Sequence, residues 1–473
     1  MNHYFRSFQI CIATVFFCSA VASITAQASD ETPDDVPDIP AEEDQQPGDT
    51  PSSLHDEWRD TLQFGIDSKV IELLSTLESR RETSLNDELR ERFQMSSNSE
   101  LKRKVFDFFR LLEDSSLEED ALDILLYFYD YNNPLIRAAI QYIGAVEIEY
   151  QEEAAELLLE LAEEDNVAYS TQAVNAVAAM QRKQDAEFFV AMLEDASSSM
   201  SDSLREAIIL ALGTIEHSVA VDALLAILQD DSNPATHRQY AADSLGKIQD
   251  PAAIPALEQA IASGENLLRA YAVSALGRFP DVDNSQMLQQ ALRDSYWRTR
   301  EVALDGIESG KLVSSLPAIQ YMSRHDPEQR IRRKAINTIA SLDHPDGWEF
   351  IITHLGNDNT PQELRILMMQ LSIEKNLANS RDVLMEILRN EWDKENSQIL
   401  DQMGRKMSTT DNPELEEFLL RLLDHPNFII RMYAVRGISR NRLSQHRATI
   451  EELTEEGHHP ALRREAVSGL ERL

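Results

Sequence analysis

The sequence predicts an all-α protein, an α-solenoid (superhelix) of about twelve helical hairpins that follow one another along the chain. Two observations predict this class. From Arg205 to Arg365, an arginine returns every 31 to 33 residues, and apolar residues at helical spacing fill the segments between these arginines. A fixed repeat of this length is typical of arrays in which each unit packs on its neighbours rather than around one central core. The repeated arginines are Arg137, Arg205, Arg238, Arg269, Arg300, Arg332, Arg365, Arg431 and Arg463.

The segment that begins at Asp250 illustrates one unit. Asp250 can cap a helix, and Pro251 fits the first turn of that helix. The apolar residues that follow are spaced three and four apart, which places them on one helix face. Polar residues 263–266 interrupt the pattern, and a second helix is predicted from Leu267 to Leu276. Each unit is therefore expected to be a pair of antiparallel helices.

These units resemble the HEAT repeat, particularly the short form seen in bacterial proteins and in phycobilisome-lyase-type proteins. The resemblance covers most of residues 58–473, is strong from about 200 to 375 and from 413 onward, and weakens at Ser170 and Asn396, where the arginine is missing. It implies that the second helices line the concave side of a superhelix, where partners bind. The residues that carry it in the unit described above are Asp250-Pro251, Leu268-Arg269, Ala272-Val273 and Leu276-Gly277.

The first 28 residues have the pattern of an export signal. Arg6 supplies a positive charge, an apolar stretch runs from Phe8 to Ala22, and Ala26 to Ala28 read A-x-A, a cleavage site. The apolar stretch is shorter than the ~20 residues that a membrane-spanning helix needs. We therefore predict a signal peptide over residues 1–28 and an exported protein, periplasmic or secreted. An uncleaved N-terminal anchor is the alternative.

Three further segments are predicted after the signal. Residues 29–57 are rich in Asp, Glu and Pro and almost lack large apolar residues, so they are expected to form a disordered linker. Residues 58–473 form the array, and within it residues 58–133 are expected to be divergent N-terminal cap repeats with a larger core. The aromatic residues that indicate such a core include Phe106, Phe108, Phe109, Tyr127, Phe128 and Tyr129.

The charge of the chain excludes one class of partner. Lys and Arg number 44 against 82 Asp and Glu, which gives a formal net charge of −38. A chain this acidic repels phosphate backbones, and we expect no nucleic-acid partner. The acidic stretch at residues 145–165 could attract a basic partner or divalent cations, but a solvated helix face explains it better.

Motifs for catalysis or metal binding are missing from the sequence. Both cysteines, Cys11 and Cys18, lie in the predicted signal peptide, so the predicted mature chain has neither disulfides nor thiolate ligands. The sequence contains no H-E-x-x-H zinc motif and no G-x-S-x-G nucleophile elbow. We therefore expect no catalytic residue, no metal and no cofactor.

The outward positions of the second helices are the candidate binding surface. At ~100° per residue, positions −1, +3, +4 and +7 from the repeated arginine face the core, and +1, +2 and +5 face away from it. Tyr240 and Tyr271 share one position in consecutive units and could anchor a peptide, or each ring could instead pack on the neighbouring unit. The candidate residues on the concave face are Gln239, Tyr240, Asp243, Tyr271, Ser274, Glu301, Asp305, Arg333, Asn337 and Tyr433.

The repeated arginines are close to the core-facing side of their helices. A stripe of arginines could bind anions, but their position favours a structural role at the seams between units. Each guanidinium is expected to pair with a nearby carboxylate or helix-end carbonyl.

Together these observations predict an exported, non-catalytic scaffold that binds protein or peptide partners in the cell envelope, with no membrane span in the mature chain. Two alternatives remain open at this point. One is an enzyme built on the array, either lyase-like or metal-dependent, and the other is a purely structural spacer of the envelope.

Overall fold

The computed structural model describes residues 54–195, 200–279 and 283–473. The predicted signal peptide and almost all of the predicted linker lie outside these ranges. Over the described residues the chain is an all-α solenoid with 26 α-helices and no β-strand, and Glu57–Leu473 form one compact unit. The first helix begins at Leu54, four residues before the predicted start of the array at Trp58.

The helices in chain order are α1 (Leu54–Phe64), α2 (Asp67–Arg80), α3 (Asn86–Met95), α4 (Ser99–Leu111), α5 (Glu118–Leu126), α6 (Asn133–Ile143), α7 (Gln151–Glu163), α8 (Ser170–Met180), α9 (Asp185–Glu194), α10 (Asp202–Ile215), α11 (Val221–Gln229), α12 (Ala235–Ile248), α13 (Ile254–Ile261), α14 (Asn266–Leu276), α15 (Ser285–Ala291), α16 (Trp297–Ser309), α17 (Leu316–His325), α18 (Gln329–Ser341), α19 (Pro345–Leu355), α20 (Gln362–Lys375), α21 (Leu377–Glu391), α22 (Gln398–Thr409), α23 (Glu416–Leu423), α24 (Phe428–Arg440), α25 (Arg447–Glu452) and α26 (Pro460–Leu470).

The helices pair in sequence order. From α3 to α26, each odd-numbered helix packs against the even-numbered helix that follows it, which makes twelve hairpins after the initial pair α1 and α2. Each even helix from α4 to α24 also packs on the even helices before and after it, whereas contacts between odd helices are fewer. The predicted array of about twelve hairpins is therefore confirmed, and the even helices form its most closely packed layer.

The unit that begins at Asp250 shows why the sequence folds in this way. The Asp250 side chain accepts a hydrogen bond from the Ala252 N–H at 3.0 Å. Pro251 opens a single 3-10 turn ahead of α13, where its missing N–H costs nothing. The second helix of the unit is α14, which ends at Leu276 as predicted.

Glycines in the even helices set how closely neighbouring units approach. A Cβ built on Gly213 would lie 2.7 Å from the Ser244 Cα in the next unit, and one built on Gly246 would lie 2.5 Å from the Ala275 Cα. Backbone atoms cannot move aside as a flexible side chain can. The small residues of the repeat therefore let α10, α12 and α14 pack closer than larger side chains would permit.

The N-terminal units contain an aromatic core. The rings of Phe106 and Phe93 meet edge to face with centroids 4.9 Å apart, and Phe106 also packs against Tyr142 at 5.2 Å. The buried Tyr142 hydroxyl donates a hydrogen bond to the Asp114 carbonyl at 2.7 Å and accepts one from the Leu117 N–H at 3.0 Å. Burial raises the pKa of Tyr142 far above its usual range.

The apolar core consists of two clusters. The first extends from Trp58 to Phe279, and the second from Val273 to Ala466. They meet at α14 and α15, and α15 has only seven residues, so it offers little apolar surface for joining them.

Candidate functional site

The repeated arginines join each hairpin to the next. The Arg269 guanidinium donates a hydrogen bond to the Ser263 carbonyl, just after α13 in its own hairpin, at 3.1 Å. It also contacts both carboxylate oxygens of Asp294, in the loop of the following hairpin, at 3.0 and 3.1 Å. One side chain thus satisfies a helix end and holds the neighbouring loop in place.

The next repeat has the same arrangement in a more buried form. Arg300 donates to the Asp294 carbonyl at 2.9 Å and binds Asp326 through two hydrogen bonds of 2.8 Å. The side chains of Arg300 and Asp326 are only 8% and 4% exposed. One unit before Arg269, Arg238 contacts Glu265 at 2.7 Å across the corresponding seam.

Later repeats keep the bond to the helix end. Arg332, Arg365 and Arg463 donate hydrogen bonds to backbone carbonyls at the ends of the first helices of their hairpins, at 2.6 to 3.1 Å. The structural role predicted for the repeated arginines is confirmed at these positions. Three members differ. The buried Arg431 Nε has no hydrogen-bond partner among the described residues, and the guanidinium groups of Arg137 and Arg205 form no hydrogen bond or ion pair with them.

With the arginines at the seams, the outward residues of the even helices remain as the candidate site. We call this the even-helix surface. Tyr240 in α12 and Tyr271 in α14 are partly exposed and meet edge to face, with ring centroids 6.4 Å apart. Both rings also pack against the apolar core. Burial raises the pKa of Tyr271, so its hydroxyl is neutral and available as a hydrogen-bond donor.

Asp243 lies beside the tyrosine pair and is neutralised by cations of its own chain. The Lys247 ammonium lies 3.1 Å from one carboxylate oxygen of Asp243, and the Arg278 guanidinium lies 2.9 Å from the other. The surface around Tyr240 and Tyr271 therefore combines aromatic rings with a carboxylate whose charge is already compensated.

The remaining predicted residues of the central units occupy different environments. Ser274, Glu301 and Asn337 are partly exposed, Asp305 and Arg333 are exposed, and Gln239 is buried at 9% exposure. Asp305 is bound by the Lys334 ammonium at 2.6 Å, and this contact joins α16 to α18. Burial lowers the pKa of Lys334, but its contacts with Asp305 and Glu308 together outweigh burial and leave the pKa raised.

Tyr433 is separate from the Tyr240–Tyr271 pair and packs on a different helix. It lies in α24, is only 8% exposed, and its ring faces Gly404 of α22. Its hydroxyl donates to an Asp401 carboxylate oxygen at 3.2 Å. The structure thus brings Tyr240, Asp243 and Tyr271 together, and places Tyr433 at a seam between later units.

An acidic cleft of about 910 Å³ lies in the N-terminal units, between the loops that precede α5 and α7. Glu147 and Glu149, from the acidic stretch singled out in the sequence, line this cleft together with Asp120. Glu118 at its wall is buried and accepts hydrogen bonds from the N–H groups of Glu149 and Tyr150 at 2.9 and 2.7 Å. The sequence alone did not indicate that Glu118 fixes this loop.

The described ranges contain neither a metal-binding cluster nor a helix that could cross a membrane. In residues 54–195, 200–279 and 283–473, no group of three or more His, Cys, Asp or Glu side chains is arranged to hold a metal ion. No helix in the same ranges combines the length and the apolar character that crossing a membrane requires.

A sequence model of the family described as "Spirochaete HEAT repeat protein" matches residues 62–468. No curated protein matches the chain by sequence.

Among solved structures, similar chains include importin beta crystallised with ammonium sulfate, at 13% identity and a TM-score of 0.45, covering 86% of this chain and 66% of that one. Kap121p bound to Pho4p matches at 12% identity and a TM-score of 0.41, covering 88% of this chain and 53% of Kap121p, so this chain spans about half its length. The complex of CpcE and CpcF of phycocyanin lyase from Nostoc sp. PCC7120 matches at 17% identity and a TM-score of 0.30, covering 60% of this chain and 93% of that one.

Proposed function

Since the chain belongs to the spirochaete HEAT repeat protein family, we propose that it is an exported, non-catalytic scaffold. In this proposal it binds protein or peptide partners in the cell envelope through its even-helix surface. The observation that carries the proposal is the Tyr240–Tyr271 pair, two partly exposed aromatic rings in contact on consecutive even helices. Aromatic side chains of this kind supply much of the binding energy at protein interfaces.

The surroundings of the pair also suit a peptide. Asp243 is already neutralised by Lys247 and Arg278, so a partner that covers it does not bury an unpaired charge. Because an array of hairpins extends its surface by repetition, affinity can accumulate from many weak contacts along the even helices. Export is supported by the pattern of Arg6, the apolar stretch that follows it, and the A-x-A site ending at Ala28.

Site-specific crosslinking in living cells tests the binding surface. A photo-reactive phenylalanine derivative is placed at Tyr271, and at Tyr321 as a matched control, because Tyr321 is 61% exposed and lies on the odd helix α17. We expect a discrete crosslinked partner from position 271 and none from position 321. Once the partner is identified, the double variant Tyr240→Ala/Tyr271→Ala is expected to lose it in a pull-down, with an unchanged helical spectrum.

Other outcomes would reject parts of the proposal. Equal crosslinking from positions 271 and 321, or partner binding that survives the double variant, would remove the even-helix surface as the site. Stoichiometric iron or zinc in the purified protein would instead favour an enzyme built on the array. Export is checked by mass spectrometry of the N-terminus in envelope fractions, where a chain that begins at Ser29 is expected.

A further inference from the structure

A pocket of about 370 Å³ near the C-terminal ends of α22, α24 and α26 carries four arginines. Arg405 lies in α22, Arg436 and Arg440 lie in α24, and Arg472 lies just beyond α26. We call this the arginine pocket, and its wall also includes Tyr433 and Thr409. None of its four arginines belongs to the repeated series at the seams.

Two of these guanidinium groups form no ion pair. Arg436 contacts Glu465 at 2.6 Å and Arg440 contacts Asp411 at 2.9 Å. Among the described residues, the Arg405 guanidinium instead hydrogen-bonds only the Tyr433 hydroxyl, at 3.5 Å, and that hydroxyl separates it from Asp401. The Arg472 guanidinium hydrogen-bonds only the Ser468 hydroxyl, at 3.4 Å. The pocket thus holds a surplus of positive charge, whereas most of the repeated arginines bind a carboxylate or a helix-end carbonyl.

The pocket lies in a part of the chain whose acidic and basic residues nearly balance. Residues 54–195 contain 13 Lys and Arg against 32 Asp and Glu, a difference of −19. Residues 398–473 contain 11 against 12, a difference of −1. An anion that approaches the arginine pocket therefore meets far less repulsion than it would at the N-terminal units.

Stabilisation of helix ends does not account for this arrangement. Cations in the last turn of a helix interact favourably with its dipole, and Arg440 is in that position in α24. Arg405 precedes the last basic residue of α22, Lys406, which is itself paired with Glu374 at 2.5 Å. The dipole effect acts on each helix separately and does not require Arg405 and Arg472 to line one hollow.

We propose that the arginine pocket binds carboxylate groups from an acidic segment of the protein partner, an inference that rests on the function proposed above. Guanidinium groups present paired N–H donors that match the two oxygens of a carboxylate. A nucleic-acid backbone fits poorly, because it would extend past the pocket onto Asp411 and Glu465 at its rim. A short acidic peptide segment brings its charge to the hollow alone.

Fluorescence anisotropy with a labelled peptide that carries two adjacent glutamates between neutral residues tests this inference on the purified protein. The test variant is Arg405→Gln/Arg472→Gln, and neither side chain has an ion pair whose loss would disturb folding. The matched control is Arg293→Gln/Arg389→Gln. These two arginines lie outside the pocket, are exposed, and form no ion pair with the described residues. At low salt we expect the unmodified protein to bind the peptide. The test variant should raise the dissociation constant at least about ten-fold, and the control should change it by less than about two-fold.

Three outcomes would overturn the inference. They are absence of peptide binding to the unmodified protein, equal weakening by both double variants, and binding of a phosphoserine peptide or of inorganic phosphate with no binding of the glutamate peptide. The crosslink expected at Tyr271 does not depend on this pocket. If that crosslink forms and the glutamate peptide fails, the inference falls alone, whereas loss of the crosslink rejects the proposed function.

Discussion

Replacing Arg300 by methionine should destabilise the centre of the array more than any exposed charge substitution. The change keeps most of the apolar volume of the side chain and removes the guanidinium. Asp326 is then left buried at 4% exposure without the two hydrogen bonds of 2.8 Å that compensate its charge. Two carbonyls in the preceding loop, those of Asp294 and Ser295, lose their donor as well.

The size of the effect follows from these contacts. Breaking a buried ion pair by removing one partner costs about 3–5 kcal/mol, because the other charge remains in a poorly hydrated site. The second substitution, Asp326→Asn, removes that charge. It keeps a side-chain oxygen that can accept the hydrogen bond from the Glu328 N–H, which is 2.9 Å long in the unmodified protein. We therefore expect Arg300→Met/Asp326→Asn to be less destabilised than the sum of the two single variants, by about 2 kcal/mol.

Urea denaturation measures the global loss, and amide hydrogen exchange locates it. Since repeat arrays open locally, exchange should accelerate in α16 to α18 before it does so in the N-terminal units. The control is Arg90→Met, which breaks an exposed pair with Asp87 in α3 and should cost about 0.5 kcal/mol or less. A loss below about 1 kcal/mol for Arg300→Met, or strict additivity in the double variant, would refute the reasoning.

Three further predictions concern packing, a buried histidine and pH. Gly246→Val should lower stability by about 1–3 kcal/mol in thermal denaturation followed by circular dichroism, whereas Gly264→Val, where no atom lies within 4 Å of the added Cβ, should be near neutral. His237→Leu should raise the free energy of unfolding in urea by about 1 kcal/mol, because both ring nitrogens are buried without hydrogen-bond partners among the described residues and the nearest carboxylates, Asp202 and Glu206, lie 3.9 and 4.0 Å from Nε2; a lowered free energy of unfolding would contradict this. Burial raises the pKa of Asp294, but hydrogen bonds from Arg269 and the Tyr296 N–H outweigh it and hold that pKa below its usual range. The stabilisation by these contacts is present above the unfolded pKa near ~3.9 and is lost as pH falls through the lower folded pKa. The loss of stability caused by Asp294→Asn at pH 7 should therefore shrink in acid. A loss of stability that does not depend on pH would refute this role of Asp294.

Much of the fold could be predicted because its signals are local. Asp250-Pro251 marks a helix start through capping chemistry that acts within three residues, and the structure confirms that start. The structural role of Arg269 and Arg300 could also be predicted, since their distance from the core-facing side of the helix fixes where their side chains reach.

The rest depends on contacts between units that no local pattern encodes. The sequence shows a glycine at position 246, but only the approach of Ala275 shows that the site has no room for a Cβ. Tyr433 has the same position in its unit as Tyr240 and Tyr271, yet it packs on Gly404 and shows little surface, because the neighbour differs. The arginine pocket escaped prediction for the same reason, since its residues come from α22, α24 and the segment after α26 and follow no repeat.

The division of the apolar core at α14 and α15 bears on how the array comes apart. Each of the two clusters supplies its own burial of apolar surface, and the seven-residue α15 couples them weakly. Unfolding in a calorimeter should consequently resolve into two overlapping transitions, one for each half, instead of a single all-or-none peak. The even helices α14 and α16 still pack on each other across this division, so the two transitions are expected to share part of their cooperativity rather than to separate fully.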